Sequence, residues 1–322
     1  PGVEMRRRSD GGEVEVRLAI RGRGYDINPQ DGSLSALLET RETGVNEAIE
    51  QLDFFANALI SEVNRVHASG QAQIPSNRYE GSVRVFLPDE NLNFADVGLP
   101  NLVENGSFMV HVTHEATGQR IAQRVDVNGN ATSLNQLVSE INTAMGGGNA
   151  AATISADGRL ILEAAAGYAL SFSDDTSGAL AALGINTFFV GDSAANIDVS
   201  EEIRASPGRL AVARDHVPGS NGTALAMAKL QDEPIDSLGG LSLRGHWQDQ
   251  VNQLAVRTSQ AGTDVETTSL VREGLDAQFQ AVSGVSVDEE TISMLTYQRQ
   301  FQAASRFIAT IDEAMQELLR LA

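Results

Sequence analysis

The sequence predicts an α+β protein: an elongated, coiled-coil-like helical rod carrying an inserted β-rich domain. Three observations predict it. Apolar residues recur at alternating steps of three and four in two stretches, one early and one at the end of the chain. Between them, from about residue 83 to 200, the pattern changes to short alternating runs separated by turn dipeptides. Helical patterning then returns near Thr223. The expected division is a discontinuous helical rod domain over 1–78 and 201–322, with a β-hairpin-like start over 1–30 and a terminal assembly helix over 283–322. The inserted β-rich domain takes 79–200.

Residues 13–21 alternate, with Val14, Val16, Leu18 and Ile20 on one side and Glu13, Glu15, Arg17 and Arg21 mostly on the other. That is a half-buried strand, ended by Gly22 and Gly24. A helical stretch follows Gly32 and Ser33. Its seam is a heptad, Val45, Ile49, Leu52, Ala56, Leu59, Val63 and Val66, closing at Gly70. Residues 71–82 lose periodicity and carry Pro75, Ser76, Asn77 and Gly81, the composition of a linker.

Strands are expected at Val83–Leu87, Phe108–Val112, Val125–Val127, Ile154, Leu160–Leu162 and Leu170–Phe172, with turn signals at Asn128-Gly129 and Asp157-Gly158. Short helices are expected over 133–144 and 178–183. A long helix over 243–282 carries the seam Val251, Leu254, Thr258, Ala261, Val265, Thr268, Arg272, Leu275, Phe279, Val282, whose small central residues permit close contact but bury little. Gly284 breaks it, and Ser286 with Glu289 reads as a capping box for the last helix.

That last helix carries the strongest signal: Met294, Tyr297, Phe301, Ala304, Ile308, Ile311, Met315, Leu318 and Ala322. The mean step of 3.5 residues keeps one stripe against a partner helix as the two supercoil. A lone surface helix carries a broader stripe at period 3.6. Nine such positions at about 1.5–2.5 kcal/mol each offer about 14–22 kcal/mol on burial. An isolated helix of this length is marginal in water, so the tail calls for a partner.

A formal net charge of −20 argues against nucleic acid, which needs a positive surface to displace its counterions. The one basic run, Arg6, Arg7 and Arg8, reads as a solvated end. Cysteine is absent, which excludes disulfides, thiolate catalysis and Cys-ligated zinc. No apolar run approaches the roughly 20 residues that span a membrane, so membrane insertion is not expected. The chain begins at Pro1, which reads as a fragment or processed product.

Candidate chemistry is thin. His111 and His114 would point to opposite faces of a strand, and His114-Glu115-Ala116-Thr117-Gly118 lacks the second His of a zinc metalloprotease helix. Asp126-Val127-Asn128-Gly129-Asn130 is too short for a calcium loop and lacks its closing Glu. The adjacent carboxylates of Asp174 and Asp175 are expected to diverge. Asp288, Glu289 and Glu290 suit a helix N-terminus. Gly22-Arg23-Gly24 lacks the third glycine of a dinucleotide loop, and the only lysine, Lys229, follows no phosphate-binding glycines. Trp247 reads as packing. The expectation is no catalytic residue, no metal, no cofactor and no enzymatic activity.

Ser283-Gly284-Val285-Ser286-Val287-Asp288-Glu289-Glu290, followed by Tyr297-Gln298-Arg299-Gln300-Phe301-Gln302-Ala303-Ala304, closely resembles the C-terminal signature of flagellar axial proteins. Two further stretches resemble the flagellar hook-associated protein 1 (FlgK) family. One runs from Asp174-Asp175-Thr176-Ser177-Gly178 through Ala182-Leu183-Gly184-Ile185-Asn186-Thr187-Phe188-Phe189-Val190-Gly191. The other is Ala205-Ser206-Pro207-Gly208-Arg209-Leu210-Ala211 with Pro218-Gly219-Ser220-Asn221-Gly222-Thr223. The early stretches 32–41 and 63–70 fit the same family, and about 107–172 resembles the small module of flagellins and hook proteins through Ser133-Leu134 and Ile141-Asn142.

The resemblance implies a structural adaptor subunit of the hook–filament junction, outside the cell, exported through the flagellar type III apparatus. It implies self-association into a ring or helical tube, contact with hook protein and a second hook-associated junction protein, and a cytoplasmic export chaperone on the C-terminal helix. It also implies that the family's N-terminal helix is missing from this sequence. The alternatives are another flagellar axial protein, such as the second junction protein or a hook-type protein, and a secreted adhesin or hydrolase carried on the β insertion.

Overall fold

The computed structural model describes residues 3–10, 13–20, 26–27, 29–30, 32–74, 76–146, 148–214, 217, 219–284 and 286–321. Gly22, Gly24, Pro75, Val285 and Ala322, and the side chains of residues 3–20 other than Ala19, lie outside that description. The chain is α+β. It divides into two compact units, Pro1–Asp249 and Gln250–Ala322.

In the first unit, β1 (Val3–Asp10) and β2 (Glu13–Ile20) pair antiparallel from Val3 opposite Ile20 to Asp10 opposite Glu13. β3 (Asp26–Ile27) adds to the other edge of β2. Arg6, Arg7 and Arg8 are therefore strand residues, opposite Arg17, Val16 and Glu15. A helix then runs from α1 (Gly32–Glu39) through a π-helical stretch, Thr40–Asn46, into α2 (Glu47–Ala68).

Residues 71–82, expected as a linker, are partly laddered. β4 (Gln71–Ala72) pairs with a strand some 140 residues on, Ala211–Ala213, and β5 (Arg78–Glu80) joins a three-stranded sheet. Strands of two or three residues have no readable period, so their pairing is invisible in sequence. The converse holds at 83–87, where a strand was expected. Ser82, Val85 and Phe86 donate to Gly184, Gly158 and Val97 respectively, three separate segments, so the run is held without forming a ladder.

The main core is built from β6 (Gly106–His114), β7 (Arg120–Val127), α3 (Leu134–Met145), β8 (Ala150–Ile154), β9 (Leu160–Ala164), β10 (Tyr168–Ser173) and α4 (Ala179–Ala182). The sheets run β10-β6-β7 and β5-β9-β8, all antiparallel. α3 packs on β7 and β8 and so joins the two sheets. Phe108, Phe172, Leu134, Leu137, Ile141, Leu160, Leu162, Leu180 and Leu183 are fully buried. Ser133 and Gln136 form a reciprocal capping box at the start of α3. Asn142 holds both the N–H and the carbonyl of Ala152, at 2.7 and 2.9 Å, which fixes α3 to β8.

Beyond the core come β11 (Phe189–Val190), β12 (Asp198–Val199), α5 (Glu201–Ala205), β13 (Ala211–Ala213) and α6 (Gly222–Lys229). α6 packs on β13 and α2. Gly70 allows that approach: a Cβ there would stand 2.7 Å from Thr223 Cγ2 and 2.9 Å from Ala211 Cβ. A second cluster, Ala58, Leu230, Ile235, Leu238 and Leu243, packs on Phe55, Leu59, Val63 and Val66.

α7 (Leu243–Ser283) begins in the first unit, where His246 stacks on Phe55 at 5.8 Å and Trp247 tilts against the same ring at 5.7 Å. The second unit comprises the rest of α7 and α8 (Val287–Leu321). Gly284 separates them, since a Cβ there would meet the Gln280 carbonyl oxygen. Ser286 Oγ accepts the Glu289 N–H at 3.4 Å, the first half of the expected capping box.

Candidate functional site

The side chains that could act on a partner lie on helices. α8 presents Met294, Tyr297, Phe301, Ala304, Ile308, Ile311, Met315 and Leu318 along one stripe, and every one is exposed. Tyr297 and Phe301 keep 70% and 75% of their surface, values at home on a face that another helix covers. The α7 residues Val251, Leu254, Val265, Leu275, Phe279 and Val282 are exposed as well.

The inner seam on α2 behaves differently along its length. Val45, Ile49 and Leu52 are exposed, whereas Ala56 is buried and Leu59, Val63 and Val66 are half-buried. The lower half meets the cluster of Leu230, Ile235, Leu238 and Leu243 from its own chain. One heptad is thus split: half is satisfied within the first unit, and half is left open.

A second seam on α2 escaped the sequence reading because it is mostly polar. Asp53, Asn57, Ile60, Asn64 and His67 also step by four and three, a signal present in the sequence. They hold the segment 186–194. Asp53 Oδ1 accepts the Ala194 N–H at 2.8 Å, and Asn57 Nδ2 donates to the Asp192 carbonyl at 3.4 Å. Asn64 donates to the Phe189 carbonyl at 2.9 Å and accepts the N–H groups of Phe188 and Phe189.

His67 ends this ladder with no exposed surface. Its Nδ1 stands 2.8 Å from the Asn186 carbonyl oxygen and therefore carries the proton. Its Nε2 accepts the Ala211 N–H at 2.9 Å. Burial holds the imidazole below its usual pKa, against the pull of the Asn186 carbonyl. Asn186 answers from the other side. In left-handed conformation at φ 51°, its Nδ2 reaches the carbonyls of His67, Ala68 and Gly70 at 3.3, 3.1 and 3.2 Å, the open end of α2.

The candidate chemical groups are placed elsewhere. Asp175 caps the α4 region: its carboxylate accepts from the N–H groups of Ser177, Gly178 and Leu180 and from Ser177 Oγ at 2.7–3.0 Å. Burial raises its pKa, against those four donors. Asp174 takes Ser173 Oγ instead, so the two carboxylates serve separate partners. His111 Nε2 lies 2.9 Å from Ser173 Oγ, and His114 meets Tyr168 edge-on at 4.9 Å. Among the described residues no group of three His, Asp or Glu side chains stands ready for a metal ion, and no helix is long and apolar enough to cross a membrane.

Comparison with known proteins follows the same segments. Residues 3–76 match the family model of the flagellar hook-associated protein FlgK helical domain. Residues 277–321 match that of the flagellar basal body rod FlgEFG protein C-terminal region. No curated protein matches the chain. A solved structure, the flagellar cap protein FliD D1-D2-D3 domains from Escherichia coli, is 13% identical over 49% of this chain and 51% of that one, with a TM-score of 0.23. The match spans about half the length of that structure, and at this TM-score the likeness carries no argument.

Proposed function

We propose that the chain, matched to the FlgK helical domain at 3–76 and to the FlgEFG C-terminal region at 277–321, is a FlgK-type structural protein of the flagellar axis and an adaptor subunit of the hook–filament junction. The observation that carries the proposal is the heptad on α8, a seam of eight described residues that are all exposed. The open upper half of the α2 seam supports the same reading. Both ask for helices from other molecules. Identical subunits docking through such heterologous contacts build a ring or helical tube.

The partners in this reading are further copies of the chain, hook protein and a second junction protein, with no enzymatic step. It places the protein outside the cell, after export through the flagellar type III apparatus. The α8 seam suits a cytoplasmic chaperone before export, because an amphipathic helix fits an apolar groove. The domain division that goes with it is a rod of 1–78 and 201–322 carrying 79–200 as an insertion. A second reading, another axial protein of hook or rod type, is favoured by the match at 277–321 alone; the match at 3–76 favours the first.

The test is Ile308→Asp in the full chain, returned to cells that lack their own copy. A carboxylate buried in the seam costs several kcal/mol, so filaments should fail to attach to the hook. Normal filament attachment would refute the proposal.

A further inference from the structure

One imidazole joins three segments that lie far apart in sequence. His67 closes α2, Asn186 leads into the strap 186–194, and Ala211 opens β13. We infer that His67 is an acid-sensitive latch: protonating its ring frees Ala211 and loosens β13 from the end of α2, while the strap, whose Asn186 carbonyl keeps the Nδ1 proton, and the β core behind stay in place.

The geometry makes the ring a switch. Nδ1 already spends its proton on the Asn186 carbonyl, so Nε2 must stay bare to accept the Ala211 N–H. A proton added to Nε2 sets two N–H groups against each other, and the bond becomes a repulsion. β13 pairs only with the two-residue β4, the register shifts between Ala211 and Ala213, and beyond that ladder Thr223 Oγ1 donates to the Ala213 carbonyl at 2.7 Å. The strap has bonds of its own to α2, through Asp53, Asn57 and Asn64. Leu162, Phe172 and Leu180 in the adjoining core are fully buried.

No charge on the surrounding elements stands in for the missing acceptor. Arg65 and Asp192 are exposed, Arg65 paired with Glu62; Arg209 is paired with Glu202, and Arg214 is exposed. Asp53 holds the far end of the strap, and the Asp175 carboxylate is turned into its own helix cap. Burial acts in the same direction as the geometry, since it disfavours the charged ring. A depressed imidazole pKa means that the opened form binds the proton more readily. The latch is therefore fully closed above the usual value of 6.5 and weakens as pH falls through the window below it.

Amide hydrogen exchange on the full chain between pH 7.5 and 5, corrected for intrinsic rates, tests the latch. Ala211 should lose protection by roughly tenfold per pH unit from 6.5 down to the closed ring's own lower pKa, with Phe188 and Phe189, held by Asn64, and Leu162 and Phe172 unchanged. His67→Gln keeps an acceptor for Ala211 and does not titrate, so it should abolish the acid-induced loss. Should that variant fail to fold, the wild-type ring titration followed by NMR replaces it, and its midpoint should lie below the onset of exchange, because the closed ring binds its proton less readily than the opened one. Opening of β13 together with the core, protection retained down to pH 5, or a His67→Gln protein as acid-sensitive as wild type would each overturn the inference. So would a ring titration whose midpoint lies at or above that onset.

Discussion

Asn186 should be worth more to this protein than its half-buried position suggests. Its side chain supplies N–H groups to three carbonyl oxygens at the end of α2, at 3.1–3.3 Å, where a helix runs out of its own donors. It does so from φ 51°, a conformation that Asn tolerates and Ala does not. The two contributions separate with two substitutions. Asn186→Gly removes the donors and keeps the backbone relaxed. It strips the three carbonyls of this donor, at a cost of about 2 kcal/mol. Asn186→Ala adds left-handed strain of about 1–2 kcal/mol, for a total of about 3–4 kcal/mol.

The single tryptophan, Trp247, packs on Phe55 and reports on the helical cluster that includes α2. Urea unfolding followed by its fluorescence would read the change directly. With a slope of about 2–3 kcal/mol per molar, the Gly variant should shift the midpoint down by roughly 0.7–1 M, and the Ala variant further. A Gly variant within about 0.5 kcal/mol of wild type would refute the capping argument. Equal losses for Gly and Ala would refute the strain argument.

Two further outcomes follow from buried ionisable groups. Burial pushes the Tyr79 phenol from 10.0 up to about 12. The folded form then holds its proton where the unfolded form has lost it, so stability falls as pH rises between those values, by roughly 3 kcal/mol over the whole window. Tyr79→Phe should remove that alkaline step from urea midpoints measured at pH 9 and 11, and an unchanged step would contradict it. Asp175→Ala should destabilise the first unit by about 2–4 kcal/mol, because it strips four donors of one acceptor at a buried turn. A thermal midpoint equal to wild type would show that the cap is dispensable.

Much of this protein is legible along the chain. The heptads announce α2 and α8, since a stripe at steps of three and four has few other uses. Ser133 and Asn142 mark a helix that the structure caps and ties to β8. The alternation over 13–21 marks β2, but it does not say that the arginine run 6–8 lies in its partner strand, because the partner of a strand can be any segment of matching length.

Local periodicity settled which segments are helices and strands, and it exposed the stripes that each helix offers. It is a property of neighbouring residues, so it reads from the sequence without further help. What the three-dimensional packing added is the partner of each stripe. Half of the Val45–Val66 seam is covered by residues 230–243, and a polar seam a few residues around the same helix grips 186–194. Those partners lie more than 100 residues away. Two-residue strands and single hydrogen bonds carry no period, and their register exists only once distant backbone groups have found each other.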